Sequence, residues 1–205
     1  MMKFSRIALL AVTTAALSAC ATAGAGPVEV TRFHNASTVS QLGQATVFIE
    51  TAPDLDLGAL EVAPYKEAVA RELAEMGYRE TSRESATQIA EVSLELFVSE
   101  PEPKRSPISV GVGGGTGGRG SGVGMGIGIN LGGNKSSQQV GTRLAVSIRE
   151  AASGDALWEG RANFSVATKS PLAQAEANAA AIADALFREF PGNSGETVEV
   201  GVNAK

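Results

Sequence analysis

The residues of this 205-residue chain that are able to do chemistry are few and poorly grouped. His34 is the only imidazole and Cys20 the only thiol, so neither a His-rich metal centre nor a Cys/His zinc cluster has enough ligands. A serine hydrolase needs a base beside its nucleophile. No Gly-x-Ser-x-Gly elbow accompanies His34, which reads as a surface or strand-end residue. Gly113 to Gly118 satisfies the G-x-G-x-x-G spacing, but no helix start follows to aim amide donors at a pyrophosphate. Between Gly128 and Ser136, Asn134 stands before Lys135 and breaks the spacing that lets Lys and Ser share one phosphate group. The run Asp54-Leu55-Asp56-Leu57-Gly58 begins like a calcium loop, yet Tyr65 occupies the twelfth position, where a Glu belongs. Paired carboxylates of the glycosidase kind stay open among 22 acids, with nothing to single out a pair. The residues therefore nominate no catalytic group, no metal ligand and no cofactor, and the chain is expected not to be an enzyme.

Cys20 has the most specific context. Lys3 and Arg6 precede it without an acid, and an apolar stretch runs from Ile7 to Ala19. Thirteen helical residues rise only about 20 Å, short of the roughly 30 Å hydrocarbon core, so residues 1–19 read as a secretory signal and not as a span. The end of that stretch, Leu17-Ser18-Ala19-Cys20, resembles the bacterial lipobox, in which the Cys receives a diacylglyceryl thioether and becomes the acylated N-terminus after cleavage. The competing reading is a plain signal cut after a site such as Ala21-Thr22-Ala23. Lipidation is the expectation, because the only Cys falls at the one place that chemistry requires. Two or more acyl chains, palmitate among them, anchor stably, so the implied partner is a lipid bilayer. Ala21, where an Asp would favour retention at the inner membrane, points to the outer membrane and its periplasmic face.

The remaining composition is that of an ordinary globular chain, with 43% hydrophobic residues, 19% charged residues and a mean hydropathy of +0.05. A formal charge of -5 and a pI near 5.0 argue against nucleic acid as a partner, since a polyanion is bound by clustered Lys and Arg. Residues 20–27 are small and unpatterned and read as a lipidated flexible tether. Residues 28–200 read as one α+β domain and 201–205 as a tail.

Within that domain, Val28 to Phe33 and Ala45 to Glu50 alternate with period two and predict strands. Val62, Tyr65, Val69, Leu73 and Met76 make a helical stripe, with Pro64 near its start and Gly77 past its end. Val92, Leu94, Leu96 and Val98 predict a strand with one apolar face. Leu144, Val146 and Ile148 predict another, joined through Ala151 to Asp155 to a strand over 157–164 in which Trp158 shares a face with Ala156, Gly160 and Ala162. Ser170-Pro171 opens a helix carrying Leu172, Ala175, Ala179, Ile182, Leu186 and Phe190, closed by Pro191-Gly192, and Thr197 to Val200 reads as a short edge strand. The expected core is Val69, Leu73, Leu94, Leu96, Leu144, Val146, Ile148, Trp158, Ile182 and Leu186. This order describes a largely antiparallel sheet with two helices packed on one face.

The signal ending Leu-Ser-Ala-Cys, the helix ending Glu72-Leu73-Ala74-Glu75-Met76-Gly77-Tyr78, the hairpin Asp155-Ala156-Leu157-Trp158-Glu159-Gly160 and the run Ala185-Leu186-Phe187-Arg188-Glu189-Phe190-Pro191 resemble the lipoproteins of domain of unknown function 4136. The resemblance covers about residues 45–192. It implies a bacterial lipoprotein anchor and an α+β domain, with no reaction and no catalytic residues.

The most unusual feature is an insertion over 108–133. Residues 111–133 contain 13 of the 24 glycines. Ile108, Val110 and Val112 alternate before it, and Val123, Met125, Ile127 and Ile129 alternate with glycines after it, which predicts a hairpin of low stability with one apolar face. Between Pro101 and Gln138 one acid meets four bases, a net +3, on a body that is otherwise acidic. Arg119, Val123, Met125, Ile127, Ile129 and Lys135 are accordingly the expected binding residues, toward an envelope protein, anionic lipid or polysaccharide. The alternative is a passive low-complexity linker. The function expected is a membrane-anchored, non-enzymatic binding or structural module; the runner-up is a periplasmic hydrolase or small-ligand carrier with an unrecognised carboxylate site.

Overall fold

The computed structural model describes residues 25–99 and 138–202. Residues 1–24, 100–137 and 203–205 lie outside it, and with them the expected signal, Cys20 and the glycine-rich insertion with its expected hairpin.

Alternating apolar residues build seven strands: β1 (Val28–His34), β2 (Thr46–Thr51), β3 (Arg79–Glu80), β4 (Gln88–Ser99), β5 (Gln139–Glu150), β6 (Ala156–Ala167) and β7 (Thr197–Val200). They form one sheet in the order β3-β2-β4-β5-β6-β1-β7. Five of the strands, β4, β5, β6, β1 and β7, pair antiparallel in succession, while β2 runs parallel to both β3 and β4. Helices α1 (Ala59–Glu75) and α2 (Ala175–Phe187) pack against each other on one face. The protein is thus α+β, with a mostly antiparallel mixed sheet. Val30, Val92, Leu144, Val146, Ile148 and Phe164 point from the sheet into the core, where Val69, Leu73, Ile182 and Leu186 meet them from the helices.

The helix ends follow from local chemistry. Glu61 reaches back to accept the Gly58 N–H at 2.9 Å, which starts α1 at Ala59, three residues ahead of the first apolar stripe position. Pro64 therefore sits inside the helix, and the carbonyl that loses its donor is that of Leu60 in the first turn. At the other end Tyr78 N–H bonds to the Leu73 carbonyl across Gly77, whose φ of 96° is left-handed. A side chain at Gly77 is excluded a second time, since its Cβ would stand 2.6 Å from the Gly43 carbonyl oxygen.

Four expectations need correction. Leu96 is 38% exposed and lies outside the core, because β2 stops at Thr51 opposite Val92 and the outer part of β4 is an edge of the sheet. The face shared by Trp158 and Ala156 is broken by a bulge: Ile148 opposes Trp158, but Arg149 opposes Ala156. As a result Leu157 and Trp158 are consecutive and both buried, and Ala156 is exposed. The second helix is shorter than its apolar spacing suggests. Pro171–Ala173 is a separate 3-10 turn with the Ser170 hydroxyl accepting the Leu172 N–H, and α2 ends at Phe187, so Phe190 belongs to the following loop.

Candidate functional site

The expected binding residues Arg119, Val123, Met125, Ile127, Ile129 and Lys135, and the expected lipidation site Cys20, lie outside the described residues. Their attachment points are described. Ser99 and Gln139 are directly opposed at the open end of the β4–β5 pair, so the insertion leaves and re-enters the sheet at neighbouring positions. The N-terminal segment enters at the same end, since Gly26 lies beside the Ser165 carbonyl and Ser165 opposes Gly141, two residues from Gln139. Both segments therefore join one end of the sheet, called here the tether end.

At the opposite end, the chain after α2 folds over the last residues of β1. Glu189 has a φ of 62°, the Phe190–Pro191 bond is cis, and Gly192 and Gly195 have φ of 77° and 83°. Four anchors hold this loop. The Trp158 indole N–H donates to the Pro191 carbonyl at 3.0 Å, with the ring stacked on Phe187 and tilted against Phe190. His34 Nε2 donates to the Gly192 carbonyl at 3.1 Å, which fixes its hydrogen on that nitrogen. The Ser194 hydroxyl accepts the His34 N–H and donates to the His34 carbonyl, and Gly195 N–H bonds to the Arg32 carbonyl.

The fourth anchor is Arg32, which is 4% exposed. Its Nε donates to the Leu186 carbonyl at 2.9 Å, and its Nη2 to those of Ala185 and Arg188 at 3.0 and 2.6 Å. A guanidinium thus satisfies the free carbonyls at the C-terminus of α2, where a positive charge also suits the helix dipole. Burial pulls the Arg32 pKa below its ordinary value, and the carboxylates of Glu189 and Glu196 pull it back up. These groups, with Pro191, Asn193 and Val198, line an open cleft of about 290 Å³. Sequence reasoning passed over Arg32, although it continues the inward period of Val28 and Val30. No group of three or more His, Cys, Asp or Glu able to hold a metal occurs among the described residues.

The uncovered face of the sheet is built from paired charges. Arg83 pairs with Glu50, Arg149 with Glu91, Arg143 with Glu95 and Arg161 with Glu159. Three of these guanidiniums also lie over aromatic rings, on Phe48, Phe97 and Phe33. Each of these arginines is matched by a carboxylate, and Glu29 and Glu199, directly opposed in the β1–β7 pair, add further negative charge to the same face.

A family model described as "Domain of unknown function (DUF4136)" matches residues 39–192, from the 3-10 turn after β1 to the loop closing over Arg32. The chain belongs to this family. The DUF4136 region thus takes in α1, α2 and strands β2 to β6, and leaves β1 and β7 outside. No curated protein matches the chain. Among solved structures, the PelC dodecamer of Paraburkholderia phytofirmans is similar at 11% identity over 78% of this chain and 96% of that one, with a TM-score of 0.41. A PDZ domain protein of Parabacteroides distasonis is similar at 11% identity over 85% of this chain, with a TM-score of 0.45. This chain spans 39% of that protein. At these scores neither likeness bears on what this DUF4136 chain does.

Proposed function

We propose that the protein is a bacterial envelope lipoprotein, anchored through acylated Cys20 on the periplasmic face of the outer membrane, that acts as a non-enzymatic binding or structural module. Its contact is made through the insertion, with Arg119, Val123, Met125, Ile127, Ile129 and Lys135 meeting an envelope protein, an anionic lipid or a polysaccharide. The observation that supports this reading is the register at the tether end. Because Ser99 opposes Gln139 directly, the described strands are paired right up to the two points where the insertion is attached, so its contact role asks nothing of the β4–β5 register.

Intact mass of the membrane-extracted protein tests the anchor: the expected result is an acylated N-terminus at Cys20, lost in Cys20→Ser. Crosslinking in envelopes, with and without residues 108–130, tests the contact. A crosslinked species that persists after the deletion sinks it.

The cleft over Arg32 supports a second reading, a small-ligand carrier, because a buried guanidinium and two carboxylates converge there. Native mass spectrometry of protein extracted from envelopes decides between them. A co-purifying small molecule lost in Glu196→Gln would favour the carrier.

A further inference from the structure

We propose that the tether end of the fold is a bilayer-docking surface, with Leu60, Leu96 and Val98 seated in the interface of a neutral, zwitterionic membrane; this rests on the lipid-anchored reading above. Among the described residues four large apolar side chains are exposed: Leu60 at 90%, Val98 at 65%, Phe33 at 42% and Leu96 at 38%. Phe33 is covered on one side by Arg161. The other three lie at one end. Leu96 and Val98 occupy the outer part of β4, beyond the point where β2 stops at Thr51 opposite Val92. Leu60 reaches the same end because α1 runs back along β2, delivering the chain to Arg79 beside Thr46 at the start of that strand. Its first turn therefore projects past the end of β2. Tyr65, one turn further on, hydrogen-bonds Asn178 in the first turn of α2, so both helices begin here.

The anchor reaches this end and cannot reach the other. Five residue steps lead from Cys20 to Ala25, where the described chain begins, and extended chain spans at most about 3.6 Å per step, or roughly 18 Å. Strands of 12 residues, such as β4 and β5, are about 40 Å long. A lipid on Cys20 therefore keeps the tether end near the membrane surface, while nothing holds the turn at 151–155, about 40 Å along the sheet, against it. Scattered exposed apolar residues are unremarkable on a free protein. On a tethered one they face the interface at a high effective concentration, and weak individual contacts suffice. The carboxylates of Asp54, Asp56 and Glu61 flank Leu60 in sequence and repel anionic headgroups, while the bases of residues 101–138 join the same end and offset them, so the apolar contact itself is with a zwitterionic surface.

The test uses full-length protein whose acylation has been verified by mass, so that failure of the anchor is seen first and separately. With Cys20 consumed by lipid, a single introduced cysteine takes one polarity-sensitive fluorophore, in Leu60→Cys, Val98→Cys or Ser153→Cys. In phosphatidylcholine vesicles with nitroxide on the acyl chains, the labels at 60 and 98 should shift to the blue and lose intensity, and the label at 153 should do neither. Equal quenching at 153, or none at 60 and 98, would overturn the proposal. So would labels at 60 and 98 that are shielded from both the lipid nitroxide and aqueous iodide, since another part of the chain would then cover the patch.

Discussion

The Phe97 ring lies across Gly141, the residue directly opposite it in the β4–β5 pair, and fills the space a Cβ at Gly141 would need. The Arg143 guanidinium sits 4.7 Å from the centre of the same ring and donates to both oxygens of Glu95 at 2.8 Å. Glycine at 141 is therefore required by a neighbouring strand and not by its own backbone. Gly141→Ala should cost about 1–3 kcal/mol, as overpacking does. In a Phe97→Ala background the same change should be neutral or stabilising, since glycine in a strand carries an entropic cost. Urea unfolding of the four proteins in a double-mutant cycle measures the coupling. Additive effects would show that the ring moves aside freely.

Trp158 joins the bulge of β6 to the loop after α2. Trp158→Ala should destabilise by about 3–5 kcal/mol, the range for emptying a buried aromatic site. Trp158→Phe keeps most of the packing but leaves the Pro191 carbonyl without its donor, and should cost about 1 kcal/mol. Chemical denaturation distinguishes the two. A loss within about half a kcal/mol for the alanine variant would contradict the burial of the ring.

Arg32 should behave as a cap and not as a surface charge. Arg32→Met removes three charge-assisted hydrogen bonds at the end of α2 and should lower stability by at least about 1.5–3 kcal/mol. Lys at this position cannot reproduce the planar fork and should restore little of it. Hydrogen exchange of the amides of the last turn of α2 gives a local readout. Unchanged protection there would separate the stability loss from the cap.

Glu72 lies in the last turn of α1, where a negative charge opposes the helix dipole. Burial raises its pKa, Glu75 and Asp184 raise it further, and Arg71 and Arg188 oppose the shift. A raised carboxyl pKa means that the folded state holds the proton more tightly, so its contribution is full below the unfolded pKa and is lost as pH rises through the folded one. Glu72→Gln should accordingly stabilise at pH 7, by roughly 0.3–1 kcal/mol. The gain should vanish below about pH 4. Thermal melts across that range follow the difference, and a gain that persists in acid would assign it to packing.

Replacing residues 108–130 by a short Gly-Ser loop should leave the unfolding midpoint of the body nearly unchanged, since a twofold change in loop length is worth only about 0.6 kcal/mol. The expected loss is of association, and of its salt sensitivity, which Arg119 and Lys135 would supply. Unfolding on deletion would instead make the segment part of the core sheet.

Much of this fold is legible in the sequence, because a period of two or of 3.6 survives wherever one face is buried. Val92 and Leu94, Leu144 to Ile148, and Val62 to Leu73 all occupy the sides that their spacing predicts. The period fails where a local device replaces it. The bulge at Leu157 adds a residue without changing composition, and the stop at Phe187 is imposed by a left-handed Glu189 that no glycine announces. Leu96 and Val98 obey the pattern perfectly and are nonetheless exposed, since alternation reports which face a residue takes and not whether a neighbouring strand still flanks it. The cleft over Arg32 was illegible for a different reason. Its members come from β1, β7 and the loop between α2 and β7, and only the β1–β7 pairing brings them together.

The opposition of Ser99 and Gln139 has a consequence for how such chains diversify. Whatever lies between these two positions begins and ends one strand-spacing apart, so a two-residue turn and a long insert would close the same hairpin. The position should therefore tolerate a longer or shorter segment, a grafted peptide or a whole guest domain whose termini are adjacent, with little penalty to the scaffold. The body then acts as a standard mount, on which the segment between these two strand ends is replaceable.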